Sequence, residues 1–187
     1  MRRIILKKEY IYQGNLILVN GKNEIKQNSN DCDLKQYNNV ILNYNVVSEL
    51  EKILKEINNQ NQIVLVSGYR SLEEQKSIWN NSLKENGEEF TKKYIAYPNC
   101  SEHQTGLAID LGLNSDKLDF IRPAFPYTGI CQRFRELAVQ YGFIERYKEN
   151  KENITGIANE EWHFRYVGYP HSEIIQKMGF CLEEYIN

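Results

Sequence analysis

Apolar, β-branched runs recur at Ile11–Val19, Gln62–Gly68, Leu107–Leu113 and Glu161–Gly168, and the helical patterns between them do not alternate strictly with these strands. Strict alternation would feed a doubly wound parallel sheet, so its absence favours an α+β fold with a small, mainly antiparallel central sheet flanked by helices. Val46–Ile57 repeats apolar residues at helical spacing (Val46, Val47, Leu50, Ile53, Leu54 and Ile57). Ser71 reads as an N-cap with Glu74 completing a capping box, which opens a helix to about Leu83. Residues Asn86–Asn99, with Gly87 and Pro98, read as a polar connection. Arg133–Tyr141 reads as a short helix stopped by Gly142. Helical turns are expected over Ser172–Met178 and near the C-terminus, and an Asn-rich loop over Gly21–Asn30.

At 187 residues the chain fits one domain, with strands and a helix in residues 1–60 and the chemically suggestive motifs in residues 61–187. The formal net charge is −2 with both signs interspersed, which excludes the electrostatic footprint of a nucleic-acid binder or of a protein drawn to anionic membranes. The apolar run Ile4–Leu6 is too short for a secretory leader, and no stretch approaches the ~18 apolar residues of a membrane span. A cytoplasmic location is expected. Cys32, Cys100, Cys131 and Cys181 are irregularly spaced, without a C-x-x-C pair, as free thiols in a reducing compartment would be. Cys100 adjoins Ser101, but nothing nearby marks it as a nucleophile, and it is expected to pack beneath the site.

The chain has only three histidines, and two stand in suggestive settings. "NCSEHQTGLAID" places His103 on a loop entering a strand and Asp110 on that strand, with small residues Gly106 and Ala108 between them. "NEEWHFRYVG" places His163 at the start of another strand with Glu160 three residues before it. Two histidines and an aspartate leave the fourth tetrahedral position of a zinc ion open for water, the mark of a catalytic rather than a structural site. A glutamate nearby can take the proton from that water. A regular strand would put residues 160 and 163 on opposite faces, so Glu160 serves only if it lies in a turn or bulge, and Glu161 is the competing base. His171 is left over and is expected to face solvent.

The motif Ser101-x-His103-x-x-Gly106-x-Ala108-x-Asp110, followed by Glu160-x-Trp162-His163, resembles the zinc D,D-peptidases of the VanX and VanY group. "SGYRS", with Gln75 a helical turn later, is similar to the block that precedes the first zinc motif in that family. The likeness runs from Gln62 to Tyr185 and is greatest to the bifunctional VanXY type. It implies that His103, Asp110 and His163 hold one zinc per chain in a cleft, that Glu160 is the general base, and that Arg70 stabilises the oxyanion. It further implies that Ser101 and Gln75 contact the terminal D-alanine or its carboxylate and that Trp162 walls the pocket. Glu161 departs from the family, where a proline commonly separates the Glu from the Trp.

The activity so implied is hydrolysis of D-Ala-D-Ala and removal of the C-terminal D-Ala from peptidoglycan pentapeptide precursors, as in glycopeptide resistance. Two rivals stand beside it. One is an L,D-carboxypeptidase or cell-wall endopeptidase of the same superfamily; the other is a non-catalytic zinc-binding domain, which would need neither Glu160 nor Arg70. The polar segments Asn86–Asn99 and Ser115–Tyr127 are candidates for a rim or lid.

Overall fold

The computed structural model describes residues 5–26 and 33–186, so Cys32 and the end of the Asn-rich loop lie outside the described residues. Two strands, β1 (Leu34–Tyr37) and β2 (Val40–Asn43), form a hairpin that closes through Asn38 in the left-handed region. The helix α1 (Tyr44–Glu56) follows at once. Asn43 caps it by accepting from the Asn45 N–H, and Val46, Val47, Leu50 and Ile53 form its buried face.

The central sheet holds β3 (Ile63–Ser67), β4 (Ala108–Leu113), β5 (Phe143–Glu145) and β6 (His163–Tyr166) in the order β3-β4-β6-β5, every pair antiparallel. This is the small antiparallel sheet expected of the α+β class. Its side chains alternate between two faces. Leu65, Ile109, Leu111 and Phe164 join one core with α1 and with α3 (Gly129–Ala138), where Phe125, Phe134 and Phe164 meet edge to face at centroid distances of 5.0–5.8 Å. On the other face stand Asp110, His163 and Arg165. Short helices α4 (Glu152–Thr155), α5 (His171–Met178) and α6 (Leu182–Ile186) complete the chain. A second apolar cluster, with Leu16, Leu18, Val167, Ile175 and Leu182, joins both ends of the described chain. No helix of the described residues is long and apolar enough to cross a membrane.

Several expectations are corrected. Ile11–Val19 is not a strand: two 3-10 helices, Lys8–Tyr12 and Gly14–Leu16, lead into Ile17–Val19, which joins no sheet. The alternating apolar pattern is real, but it serves two cores, with Leu16 and Leu18 in one and Ile17 and Val19 in the other. The helix α2 (Leu72–Tyr94) opens on the expected capping box but does not stop near Leu83. Gly87, at φ 83° and ψ 173°, interrupts it, and the helix resumes because Thr91 Oγ1 bridges the break, bonded to the Gly87 carbonyl (2.8 Å) and to Ser82 Oγ (2.8 Å). The helix expected over Arg133–Tyr141 begins earlier as α3 and ends in a 3-10 turn, Val139–Tyr141, before Gly142. His171 does not face solvent; it is half-buried, with Nδ1 2.7 Å from the Tyr185 hydroxyl.

Candidate active site and metal centre

The register of β4 and β6 sets Asp110 directly opposite His163, and that of β3 and β4 sets Ser67 opposite Asp110 across a bulge. His103 sits on a 3-10 turn, Glu102–Thr105, which ends at Gly106 in the left-handed region (φ 71°) and leads straight into β4. A Cβ at Gly106 would lie 2.8 Å from Leu34 Cδ2 and 3.2 Å from the Asn43 nitrogen, so the turn packs against the first hairpin only because this residue has no side chain.

One donor atom from each of His103, Asp110 and His163 lies within 4.8 Å of the others, and all three residues are buried. His103 Nε2 is 3.1 Å from Asp110 Oδ2, and His163 Nδ1 is 2.9 Å from Asp110 Oδ1. Tetrahedral zinc with bonds of about 2.0–2.2 Å would space its ligand atoms roughly 3.3–3.6 Å apart, a few tenths of an ångström wider. The remaining ring nitrogens also face acceptors: His103 Nδ1 is 2.7 Å from the Gly68 carbonyl, and His163 Nε2 is 3.5 Å from Glu102 Oε2. A neutral His103 that donates from Nδ1 to Gly68 turns the lone pair of Nε2 toward a carboxylate. That contact is repulsive unless a cation lies between them. The donor set therefore fits a divalent metal.

The charges point the same way. Burial works against a charged His163, but its hydrogen bond to Asp110, the nearby Glu102 carboxylate and the charges of Asp110 and Glu160 override it, raising the ring to about 9. Burial, with Arg70 beside it, lowers His103. Burial would raise Asp110, yet the two histidines hold it far below the usual carboxylate range.

Glu160 and Glu161 part company here. Residues 160–163 form a turn, with the His163 N–H donating to the Glu160 carbonyl at 3.2 Å, and β6 begins only at His163. Glu160 is thereby aimed into the cleft, its Oε2 3.7 Å from His163 Nδ1. Burial pushes its carboxyl up to about 8; the charge of His163 opposes this and that of Asp110 adds to it. Glu161 turns away and accepts from the Phe125 N–H at 3.0 Å.

Arg70 follows β3 and reaches the same point, Nη2 3.1 Å from Asp110 Oδ2, with Nε on Ser67 Oγ (3.0 Å) and Nη1 on Gln75 Oε1 (3.3 Å). Gln75 is buried on α2 behind Arg70, its Nε2 held by the Ala96 carbonyl at 2.7 Å, so its amide is engaged within the protein rather than at the cleft wall. Ser101 and Trp162 both line the cleft, whose volume is about 240 Å³. The segments considered as rim or lid contribute Tyr94, Ile95, Ala96, Phe120 and Ile121 to its lining. Cys100 is buried, and burial raises its thiol above the ordinary range, the opposite of an activated nucleophile.

Glu102 and Tyr147 also line the cleft, and the sequence motifs did not single them out. Glu102 stands inside the first motif. The arginines that hold it, Arg146 and Arg165, are far away in sequence, so its neighbours gave little sign of its burial.

A buried three-donor centre with an open side and a carboxylate within reach is suited to metal-assisted hydrolysis, not to a closed structural zinc. The model of the VanY family, D-alanyl-D-alanine carboxypeptidase, matches residues 39–169, and the chain belongs to that family. It is 42% identical over 175 residues (91% of this chain and 92% of the relative) to the bifunctional D-Ala-D-Ala dipeptidase and carboxypeptidase VanXYC of Enterococcus gallinarum. Its fold matches the vancomycin-resistance D,D-dipeptidase VanXYg, solved with a D-Ala-D-Ala phosphinate analogue, with a TM-score of 0.90 at 57% identity over 96% of this chain and 73% of that one. It also matches the D,D-pentapeptidase VanY of the VanB-type cassette, a glutamate-to-alanine mutant solved with Zn(II), with a TM-score of 0.77 at 30% identity over 92% of this chain and 99% of that one.

Proposed function

We propose that this chain is a zinc D,D-peptidase. It releases D-alanine from D-Ala-D-Ala and from the C-terminus of peptidoglycan pentapeptide precursors, and so serves vancomycin resistance. The observation that carries this reading is the convergence of His103, Asp110 and His163 on one point of a cleft that also receives Glu160 and Arg70. The three would hold one zinc per chain. When bound, zinc polarises the scissile carbonyl and makes an attacking water acidic, with a pKa near ~7.

Glu160 accepts the proton of that water and passes it to the departing amine of D-alanine. Arg70, already drawn in against Asp110, turns a guanidinium N–H to the developing oxyanion. Gln75 acts through Arg70 by fixing its far nitrogen. Ser101 and Trp162 form the wall that meets the terminal D-alanine. Residues 1–187 work as one peptidase domain, because both ends of the described chain pack on the sheet that carries the site. The buried free thiols Cys100, Cys131 and Cys181 fit a cytoplasmic location.

The test is release of D-alanine by the zinc-loaded protein from D-Ala-D-Ala and from the pentapeptide, with the L-Lys-D-Ala tetrapeptide alongside. Release from the first two and none from the tetrapeptide is expected. Cleavage of the tetrapeptide alone would make the enzyme an L,D-carboxypeptidase.

A further inference from the structure

We propose that Glu102 is a positioning residue that fixes His163 in the tautomer presenting Nδ1 to the metal, and that Arg146 and Arg165 hold Glu102 for that task. The inference rests on the zinc reading above and extends it beyond the ligands themselves. His163 turns one ring nitrogen toward Asp110 (2.9 Å) and the other toward Glu102 Oε2 (3.5 Å). His163 Nε2 and Glu102 Oε2 are both buried without a hydrogen-bond partner, and they face each other. A closure of about half an ångström makes this an ordinary N–H···O bond, with Nε2 donating.

The other oxygen of Glu102 is fully committed. Oε1 accepts from Arg146 Nε at 2.8 Å and from Arg165 Nη1 at 2.7 Å. Arg146 spends its two terminal nitrogens on Glu183 of α6 (2.9 and 2.7 Å), and Arg165 Nη2 donates to the carbonyls of Asn15 (3.0 Å) and Ile17 (2.7 Å). Arg146 and Arg165 have no exposed surface, and Glu102 has 1%. Two guanidiniums balance two carboxylates, so the cluster carries no net charge into the interior.

A cluster built only for stability has no reason to leave one carboxylate oxygen aimed at a metal ligand. Buried ion networks of this kind are often no better for stability than apolar packing, because desolvation offsets much of the attraction. A carboxylate on the far nitrogen of a metal-bound histidine, by contrast, fixes the ring and raises its basicity. His103 is served differently, its far nitrogen Nδ1 meeting the Gly68 carbonyl at 2.7 Å. The two ligand histidines therefore bind through opposite nitrogens, His103 by Nε2 and His163 by Nδ1. The N-terminal segment belongs to the same machinery, since the carbonyls of Asn15 and Ile17 hold Arg165 in place.

The experiment is ring-nitrogen NMR of the zinc-loaded protein, with zinc affinity and steady-state kinetics, each measured on wild type and on Glu102→Gln. The wild type should show His163 bound through Nδ1 with a slowly exchanging proton on Nε2, and His103 with the reverse assignment. Glu102→Gln should weaken zinc binding about 10–100-fold, speed exchange of the His163 Nε2 proton, and lower kcat at saturating zinc more than it changes KM. Wild-type zinc affinity and an unchanged ring spectrum in the variant would overturn the proposal, whatever the variant's stability. If the variant does not fold, the wild-type spectrum decides, and His163 bound through Nε2 overturns the proposal. Absence of zinc uptake by the wild type would overturn the zinc reading itself, and this one with it.

Discussion

Glu160 and Glu161 are adjacent in sequence, yet one faces the cleft and the other faces the Phe125 backbone. Glu160→Gln should bind zinc normally and lose about 10²–10⁴ in rate, while Glu161→Gln keeps most activity; assays at matched zinc content distinguish them, and the opposite ranking would move the base to Glu161. Arg70→Ala should lower kcat by about 10²–10³, the effect of losing one oxyanion donor, with zinc retained. A change confined to KM would make Arg70 a carboxylate anchor instead. In the metal-free protein His163 holds its proton up to about pH 9, so zinc must displace that proton at neutral pH. Zinc uptake at pH 7 should release it, and affinity should rise with pH and level off near 9; a pH-independent affinity across that window would contradict the assignment. Spacing and side-chain chemistry singled out His103, Asp110 and His163, but left Glu160 and Glu161 as competing bases, since only the turn before β6 separates them. Glu102 was not singled out, because what makes it a buried anion is Arg146 and Arg165, contributed by β6 and by the residue just after β5.

At the scale of elements, the site is a matter of register: a one-residue slip of β6 against β4 would carry His163 to the face occupied by Phe164. The turn bearing His103 is equally constrained. Gly106→Ala forces a side chain into the left-handed region and against Leu34 and Asn43, and should cost about 1–3 kcal/mol. Denaturant unfolding measures the loss, and a neutral result would mean that the hairpin does not press on this turn. The capping box at Ser71 and the helical stripe of α1 were legible because both are local patterns. The resumption of α2 after Gly87 was not, since it depends on Thr91 reaching back to Ser82. β1 and the three-residue β5 were missed because neither carries an apolar run of its own: β1 is largely exposed, and β5 pairs only at the sheet edge.

Across the whole molecule, the sheet divides the work: one face builds the core with α1 and α3, and the other carries charge toward the cleft. Two distant segments border that cleft and touch each other, with the Arg122 guanidinium 4.7 Å above the Tyr94 ring, a pairing that no local pattern in the sequence announces. The proposed activity depends on a single metal in that cleft driving release of D-alanine. Its most direct test is to titrate the metal-free protein with zinc while following D-alanine released from D-Ala-D-Ala. Activity should be absent at the start, rise linearly and saturate at one zinc per chain. Full activity before any zinc is added, or saturation only at two per chain, would contradict it.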